Sequence, residues 1–185
     1  MRSLKKIISL SQDDPDLVVL AEDEAGLVSI PTLTRMWSPK GVQPLVPTAT
    51  TNRKRITLFG AVNVSNGEHF SAFADRGNIE NFKNFLEFVL EENPDKRIVM
   101  ILDNVGFHHS NIINKEFLPK TKNLEFLFLP AYSPDLNPQE WVWKELRAKV
   151  THNTYYNDFT DELKATHDFL KNYRLPVKDL LCHII

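Results

Sequence analysis

Two short apolar runs of this 185-residue chain lead straight into acids: Leu17–Ala21 (LVVLA) precedes Glu22, Asp23 and Glu24, and Ile98–Leu102 (IVMIL) precedes Asp103. Continuous apolar runs of this length read as strands buried on both faces. If the two strands are parallel neighbours, Asp23 and Asp103 emerge at one edge of the sheet, where open α/β sheets bind ligands. Carboxylates gathered there repel one another unless divalent cations neutralise them, and hard oxygen donors suit Mg²⁺ or Mn²⁺. The alternative is that both strand ends are polar because they reach solvent. A third acid sits in Asn137-Pro138-Gln139-Glu140, which reads as an N-cap, a first helical residue and, at Glu140, the capping-box position. Glu140 then either returns a hydrogen bond to the Asn137 backbone or acts as a third ligand. The proline-punctuated loop Leu129–Pro138 ahead of it and the bulky Trp141 and Trp143 behind it would fix this helix start closely, as a metal ligand requires.

The elements that must position these acids are legible in order. The turn signal Asp14-Pro15-Asp16 opens the first strand. From Gly26 to Arg53 the prolines at 31, 39, 44 and 47 forbid a helix and predict an irregular excursion. Ile56–Val64 and His69–Asp75 flank Ser65-Asn66-Gly67, a strong hairpin signal. Ile79, Phe82, Phe85, Leu86, Val89 and Leu90 then share one face of a helix that Pro94 terminates. After the strand Ile98–Leu102 come a short helix over Asn111–Lys120, a strand over Leu124–Leu129, and helices over Pro138–Val150 and Asp158–Tyr173. This order predicts an α/β fold with a mixed sheet of about five strands flanked by helices, parallel where helices cross over.

Composition narrows the class further. Hydrophobic residues make up 42% and charged residues 25% of the chain, a globular balance that excludes intrinsic disorder. No apolar run reaches the ~18 residues of a membrane span and the N-terminus has no signal-peptide pattern, so a soluble cytoplasmic protein with no membrane partner is expected. The single cysteine, Cys182, excludes an internal disulfide framework and a zinc site of paired cysteines. A net charge of −2 supplies no global attraction to nucleic acid, so any DNA contact must come from local patches or a partner domain.

Together, VVLAEDEAG (Val18–Gly26), IVMILDNVGFHHS (Ile98–Ser110) and LPAYSPDLNPQEWVWKELR (Leu129–Arg147) resemble the three catalytic blocks of DDE transposases, in particular the bacterial insertion-sequence branch of the mariner superfamily. TRMWSPKGVQP (Thr34–Pro44) is similar to that branch's Trp-x-Pro-x-Gly stretch. The resemblance implies a ribonuclease H-like fold and a catalytic, metal-binding triad of Asp23, Asp103 and Glu140, the last two at the mid-thirties spacing of this branch. Strand alternation favours Asp23 over Glu24, which would face the other side. The implied activity is metal-dependent DNA strand cleavage and strand transfer at transposon ends, with water and then a DNA 3′-hydroxyl as nucleophiles. Two cations, Mg²⁺ or Mn²⁺, about 3.5 to 4 Å apart would serve it, with Asp23 bridging and Asp103 and Glu140 each holding one. The implied partners are terminal inverted repeats and target DNA, often at TA, and a second copy of the chain on the prokaryotic nucleoid.

Supporting residues follow from position. Asn104 and His108 either hold the loop after Asp103 or touch a scissile phosphate; loop-holding is the simpler reading. His109, His152 and His167 lack metal-site spacing. Basic residues cluster as Arg35 and Lys40 around Trp37, as Arg53-Lys54-Arg55, and as Lys144, Arg147 and Lys149 after Glu140. Lys144 and Arg147 share the helix face of Glu140 and could reach phosphates near the metals. Trp37 braces its loop or stacks on a base, with bracing preferred, while Trp143, Leu146 and Val150 face the core. Residues 1–15 read as a linker remnant and 16–185 as the DDE catalytic core. Such transposases carry helix-turn-helix segments ahead of the core, so three origins are open: a second reading frame expressed by frameshifting, a relic truncated at its start, or a core that works with a separate N-terminal DNA-binding chain as partner. The competing readings are a ribonuclease H-like nuclease such as a Holliday junction resolvase, which would not be expected to carry SPDLNPQE, and a non-catalytic transposase remnant acting as a dimerising regulator.

Overall fold

The computed structural model describes residues 4–48, 53–131 and 133–174; Cys182 lies outside them. Its strands β1 (Leu17–Val28), β2 (Arg55–Asn63), β3 (His69–Ala74), β4 (Arg97–Leu102) and β5 (Leu124–Phe128) form one sheet in the order β3-β2-β1-β4-β5. β1, β4 and β5 are parallel, and β1, β2 and β3 are antiparallel, the mixed sheet expected. Alternation sorts β1 onto two cores. Val18 and Leu20 join Phe59, Phe82, Phe85 and Met100 beneath α2 (Ile79–Glu92). Val19 and Ala21 join Leu58, Ile101 and Trp143 on the opposite face, beneath α3 (Gln139–Leu146) and α4 (Phe159–Asn172).

β1 departs from expectation in a way that makes the site. It does not end near Ala21 but continues through Glu22, Asp23 and Glu24 to Val28. Pairing with β2 runs from Leu20 opposite Asn63 to Val28 opposite Arg55, whereas pairing with β4 covers only Leu17–Ala21. Backbone hydrogen bonds along one edge keep polar residues extended, which hydropathy cannot reveal. Beyond Ala21 the other edge of β1 is free of β4, and Asp23 lies on that open stretch. Asp103, by contrast, directly follows β4 as expected.

The hairpin turns at Gly67, whose φ of 73° is a left-handed conformation that favours glycine. α2 starts at Asn78, whose side chain accepts from the Asn81 N–H at 2.8 Å. Residues read as a linker tail include α1 (Leu4–Asp13), and its Ile7 and Ile8 are buried in the core. The short helix after Asp103 is a wide turn over Ile112–Phe117 followed by a tight one over Leu118–Lys120. The excursion after β1 is irregular and tied down by a Thr32–His152 bridge and by Asn153, whose side chain accepts from the Thr34 N–H at 3.0 Å. Trp37 does not brace it: the side chain is fully exposed, because the bridge holds the base of the excursion and no core reaches its tip. Among the described residues no helix is long and apolar enough to cross a membrane.

Candidate active site

Asp23, Asp103 and Glu140 line one cleft of about 430 Å³, together with Asn104, Asn137 and the loop residues Leu129, Pro130, Ala131 and Ser133. β1 contributes Asp23 where β4 leaves it, the end of β4 contributes Asp103, and the first turn of α3 contributes Glu140. Asn137 ties these pieces together. Its Nδ2 donates to the Glu22 carbonyl at 2.8 Å, a carbonyl on the edge that β4 has vacated, and its Oδ1 accepts from the Gln139 N–H at 3.1 Å. The side chain thus takes the first helical N–H, but the helix begins at Gln139 and its cap position is Pro138, one residue beyond the Asn137 cap expected. The capping-box alternative for Glu140 is not realised: among the described residues no hydrogen bond returns from Glu140 to the Asn137 backbone, and Glu140 faces the cleft.

Burial, followed by the negative charges of Glu140, Glu24 and Asp103, pushes the Asp23 carboxyl up to about 8. One hydrogen bond to it comes from Trp143, whose Nε1–H donates to Oδ2 at 3.0 Å. Among the described residues no lysine or arginine forms an ion pair with Asp23 or Glu140. Three oxygen-donor groups facing one cleft, two without a cationic partner, fit a divalent cation of the Mg²⁺ or Mn²⁺ type.

On the other face of β1 lies a second charged cluster. Buried His108 places Nδ1 3.2 Å from Asp103 Oδ1, and Nε2 3.2 Å from Glu24 Oε1 and 3.6 Å from Glu22 Oε2. Burial alone would lower the His108 pKa, but hydrogen bonds to Asp103 and Glu24 and the Glu24 charge raise it to about 9. His108 is therefore an imidazolium that donates to both sides, and its hydrogen bond holds Asp103 below the usual carboxylate range against the effect of burial. Glu22 is completely buried with neither oxygen hydrogen-bonded; burial and the charges of Glu24, Asp23 and Asp103 raise its pKa well above the usual range.

His108 is not among the residues that line the cleft. Asn104 does line the cleft, with Nδ2 donating to the Leu129 carbonyl at 2.7 Å and Oδ1 accepting from His109 Nε2 at 3.3 Å. Lys144 and Arg147, with Asp135 and Trp141, line a second cleft of about 380 Å³ that shares Glu140 as a wall, and Lys144 Nζ stands 4.4 Å over the Trp141 ring. Arg35, Lys40, Arg53, Lys54 and Arg55 are exposed and line neither cleft. Lys149 pairs with Glu145 at 3.2 Å.

Sequence reasoning placed Trp143 in the core and missed its bond to Asp23. It also missed buried Gln139, whose Nε2 donates to His69 Nε2 at 2.8 Å, and His69 itself, which burial pushes down to about 3 and so keeps neutral. The available signal was Trp143 one turn beyond Glu140, combined with Gly60 inside a strand, since an interior strand glycine often marks a close approach.

A five-stranded mixed sheet carrying three carboxylates around one cleft defines an α/β protein of the ribonuclease H-like class. Residues 18–164 match the DDE superfamily endonuclease family, and the chain belongs to that family. It is 26% identical over 157 residues to the insertion element IS630 uncharacterized 39 kDa protein of Shigella sonnei, covering 83% of this chain and 44% of that protein. It is 38% identical over 66 residues to the uncharacterized protein y4pE/y4sA of Sinorhizobium fredii, covering 34% of this chain and 43% of that protein. The chain thus spans less than half the length of these curated relatives. Among solved structures, the Mos1 transposase paired-end complex with left transposon end matches with a TM-score of 0.65 at 17% identity, over 97% of this chain and 55% of that one. The catalytic domain of Mos1 mariner transposase matches with a TM-score of 0.55 at 15% identity, over 97% and 82%. At these identities the structural likeness establishes the fold.

Proposed function

We propose that this chain is the catalytic core of a transposase, cutting DNA at transposon ends and joining the freed end to target DNA. The convergence of Asp23, Asp103 and Glu140 on one cleft carries the reading, and membership of the DDE superfamily endonucleases supports it. Asp23, Asp103 and Glu140 would together hold Mg²⁺ or Mn²⁺, two ions in the reading that the resemblance implies. Such ions, when bound, supply an activated attacking oxygen and stabilise the leaving one. Asn137 holds the start of α3 against β1 so that Glu140 faces Asp23. His108 orients the Asp103 carboxylate from behind, and Asn104 fixes the adjoining loop through Leu129. Lys144 and Arg147, sharing a cleft wall with Glu140, would take the phosphates of the bound strand. Water attack on a phosphodiester releases a 3′-hydroxyl, and that hydroxyl attacks a target phosphate, so each step exchanges one P–O bond for another. The partners are terminal inverted repeats, target DNA and a second copy of the chain. With a net charge of −2, specific binding to the repeats belongs to sequence outside this core, in the same polypeptide or another. The setting is a prokaryotic nucleoid, consistent with the bacterial relatives.

The test is supercoiled plasmid incubated with the chain in Mn²⁺, Mg²⁺ or EDTA, beside Glu140→Gln. Nicking that requires metal and disappears in the variant is expected; metal-independent or Glu140-independent nicking refutes the assignment. Joining of a pre-cut transposon end to plasmid separates a transposase from a ribonuclease H-like nuclease that only cleaves.

A further inference from the structure

Glu140 and Trp143 lie one turn apart on α3, and both meet the same residue of β1: Glu140 faces Asp23 across the cleft, and Trp143 Nε1–H donates to Asp23 Oδ2 at 3.0 Å. The indole is held on more than one side. Trp143 is completely buried, and the His69 ring stands against it edge-on at 5.8 Å. Gln139, on the same helix, holds His69 through its side-chain amide. Gly60, directly opposite Asp23 in the β1–β2 register, lies under the ring, where a Cβ would come 2.4 Å from Trp143 Cη2 and 2.7 Å from Cζ2. A backbone Cβ has nowhere to retreat at that distance, so any side chain at position 60 displaces the ring.

We propose that Trp143 is a positioning residue for the metal site: its single hydrogen bond to Asp23 sets the orientation of that carboxylate and, because Glu140 rides on the same helix, the spacing between the two. Gly60 is a glycine so that the indole can reach. The inference rests on the reading of Asp23 and Glu140 as metal ligands. A tryptophan placed only to fill the core would need neither the N–H on a carboxylate nor a glycine beneath the ring.

Trp143→Phe keeps most of the buried ring and removes the donor; Gly60→Ala keeps the donor and displaces the ring. Mn²⁺ binding followed by electron paramagnetic resonance, with the melting temperature of each metal-free protein measured in parallel, separates positioning from packing. Loss of an outer hydrogen bond to a metal ligand costs roughly tenfold to a hundredfold in affinity, so Trp143→Phe is expected to weaken Mn²⁺ binding by about tenfold or more while staying folded at a lower melting temperature, since the smaller ring leaves part of a buried site empty. Gly60→Ala, where folded, should weaken binding likewise. In the unmutated chain labelled with ¹⁵N-tryptophan, adding Mg²⁺ should shift the Trp143 indole signal saturably and leave that of exposed Trp37 in place. Mn²⁺ affinity unchanged in Trp143→Phe, or an indole signal indifferent to bound Mg²⁺, overturns the proposal and leaves the metal-site reading standing. Absence of Mn²⁺ binding by the unmutated chain removes the metal-site reading, and the proposal with it.

Discussion

The two faces of β1 treat charge differently. Toward His108 one imidazolium sits between two carboxylates, Asp103 and Glu24. Removing that cation by His108→Ala leaves half-exposed Asp103 and largely buried Glu24 without it and empties a completely buried site, so chemical denaturation of the variant should show a clear destabilisation. Toward the cleft the charges are unbalanced, and the sign of the effect reverses. Asp23, pushed up to about 8 from its ordinary 3.8, disfavours the folded state as pH rises between those values, because only the unfolded chain ionises freely there. Asp23→Asn should therefore raise the melting temperature at pH 7 without divalent metal while abolishing nicking; a variant both inactive and less stable would contradict this. Glu162, buried on α4, gives a second case with the same sign. Burial raises it from 4.5 to about 7, so its contribution to stability is full below pH 4.5 and is lost as pH climbs to about 7. Melting temperatures of Glu162→Gln and the parent should coincide below pH 4.5, diverge between pH 4.5 and about 7, and stay apart above that, with the variant a few degrees higher.

Among the elements, the decisive one is the stretch of β1 that outlasts its parallel neighbour. Strand pairing with β2 holds Asp23 in extended backbone, while the missing β4 partner leaves the Glu22 carbonyl for Asn137 and the space beyond for Glu140. Asn137 serves both the strand edge and the helix start, so Asn137→Ala should cost about 1 to 2 kcal/mol, as the loss of a helix cap does, and weaken Mn²⁺ binding as α3 loosens. Asn137→Ser keeps a hydroxyl acceptor at the helix start, loses the donor to Glu22 and adds no charge to the cleft, so its melting temperature should fall between those of the parent and Asn137→Ala. Equal losses in both variants would place the whole effect at the strand edge.

At the scale of the molecule, charge limits what the chain does alone. A net charge of −2 predicts weak, salt-sensitive DNA binding carried by local cations. Lys144 and Arg147 beside the Glu140 cleft are placed for it, whereas the exposed Arg35, Lys40 and Arg53–Arg55 lie outside both clefts. Replacing Lys144 and Arg147 together by alanine should lower affinity uniformly across sequences and reduce the slope of log affinity against log salt by about 2; an unchanged slope would move the phosphate contacts elsewhere.

Much of this was written along the chain. Apolar runs marked the buried strands of a mixed sheet, the Asn-Gly turn marked the hairpin, and the period of Ile79 to Leu90 marked α2, because burial and turn geometry act locally on residue type. Asp23, Asp103 and Glu140 stood out for the same reason: an acid just past an apolar run, or at a rigid helix start, is conspicuous in one dimension. What the chain could not display depends on which backbone lies beside which. That β1 continues past its acids follows from its bonding to β2; that Trp37 hangs free follows from where the excursion is tied; that His108 charges and Asp23 resists charging follows from what is packed on each face of one strand. Trp143 reads as core in sequence, and it is core. Only the glycine opposite Asp23, brought there by strand register, lets its N–H reach a carboxylate 120 positions away.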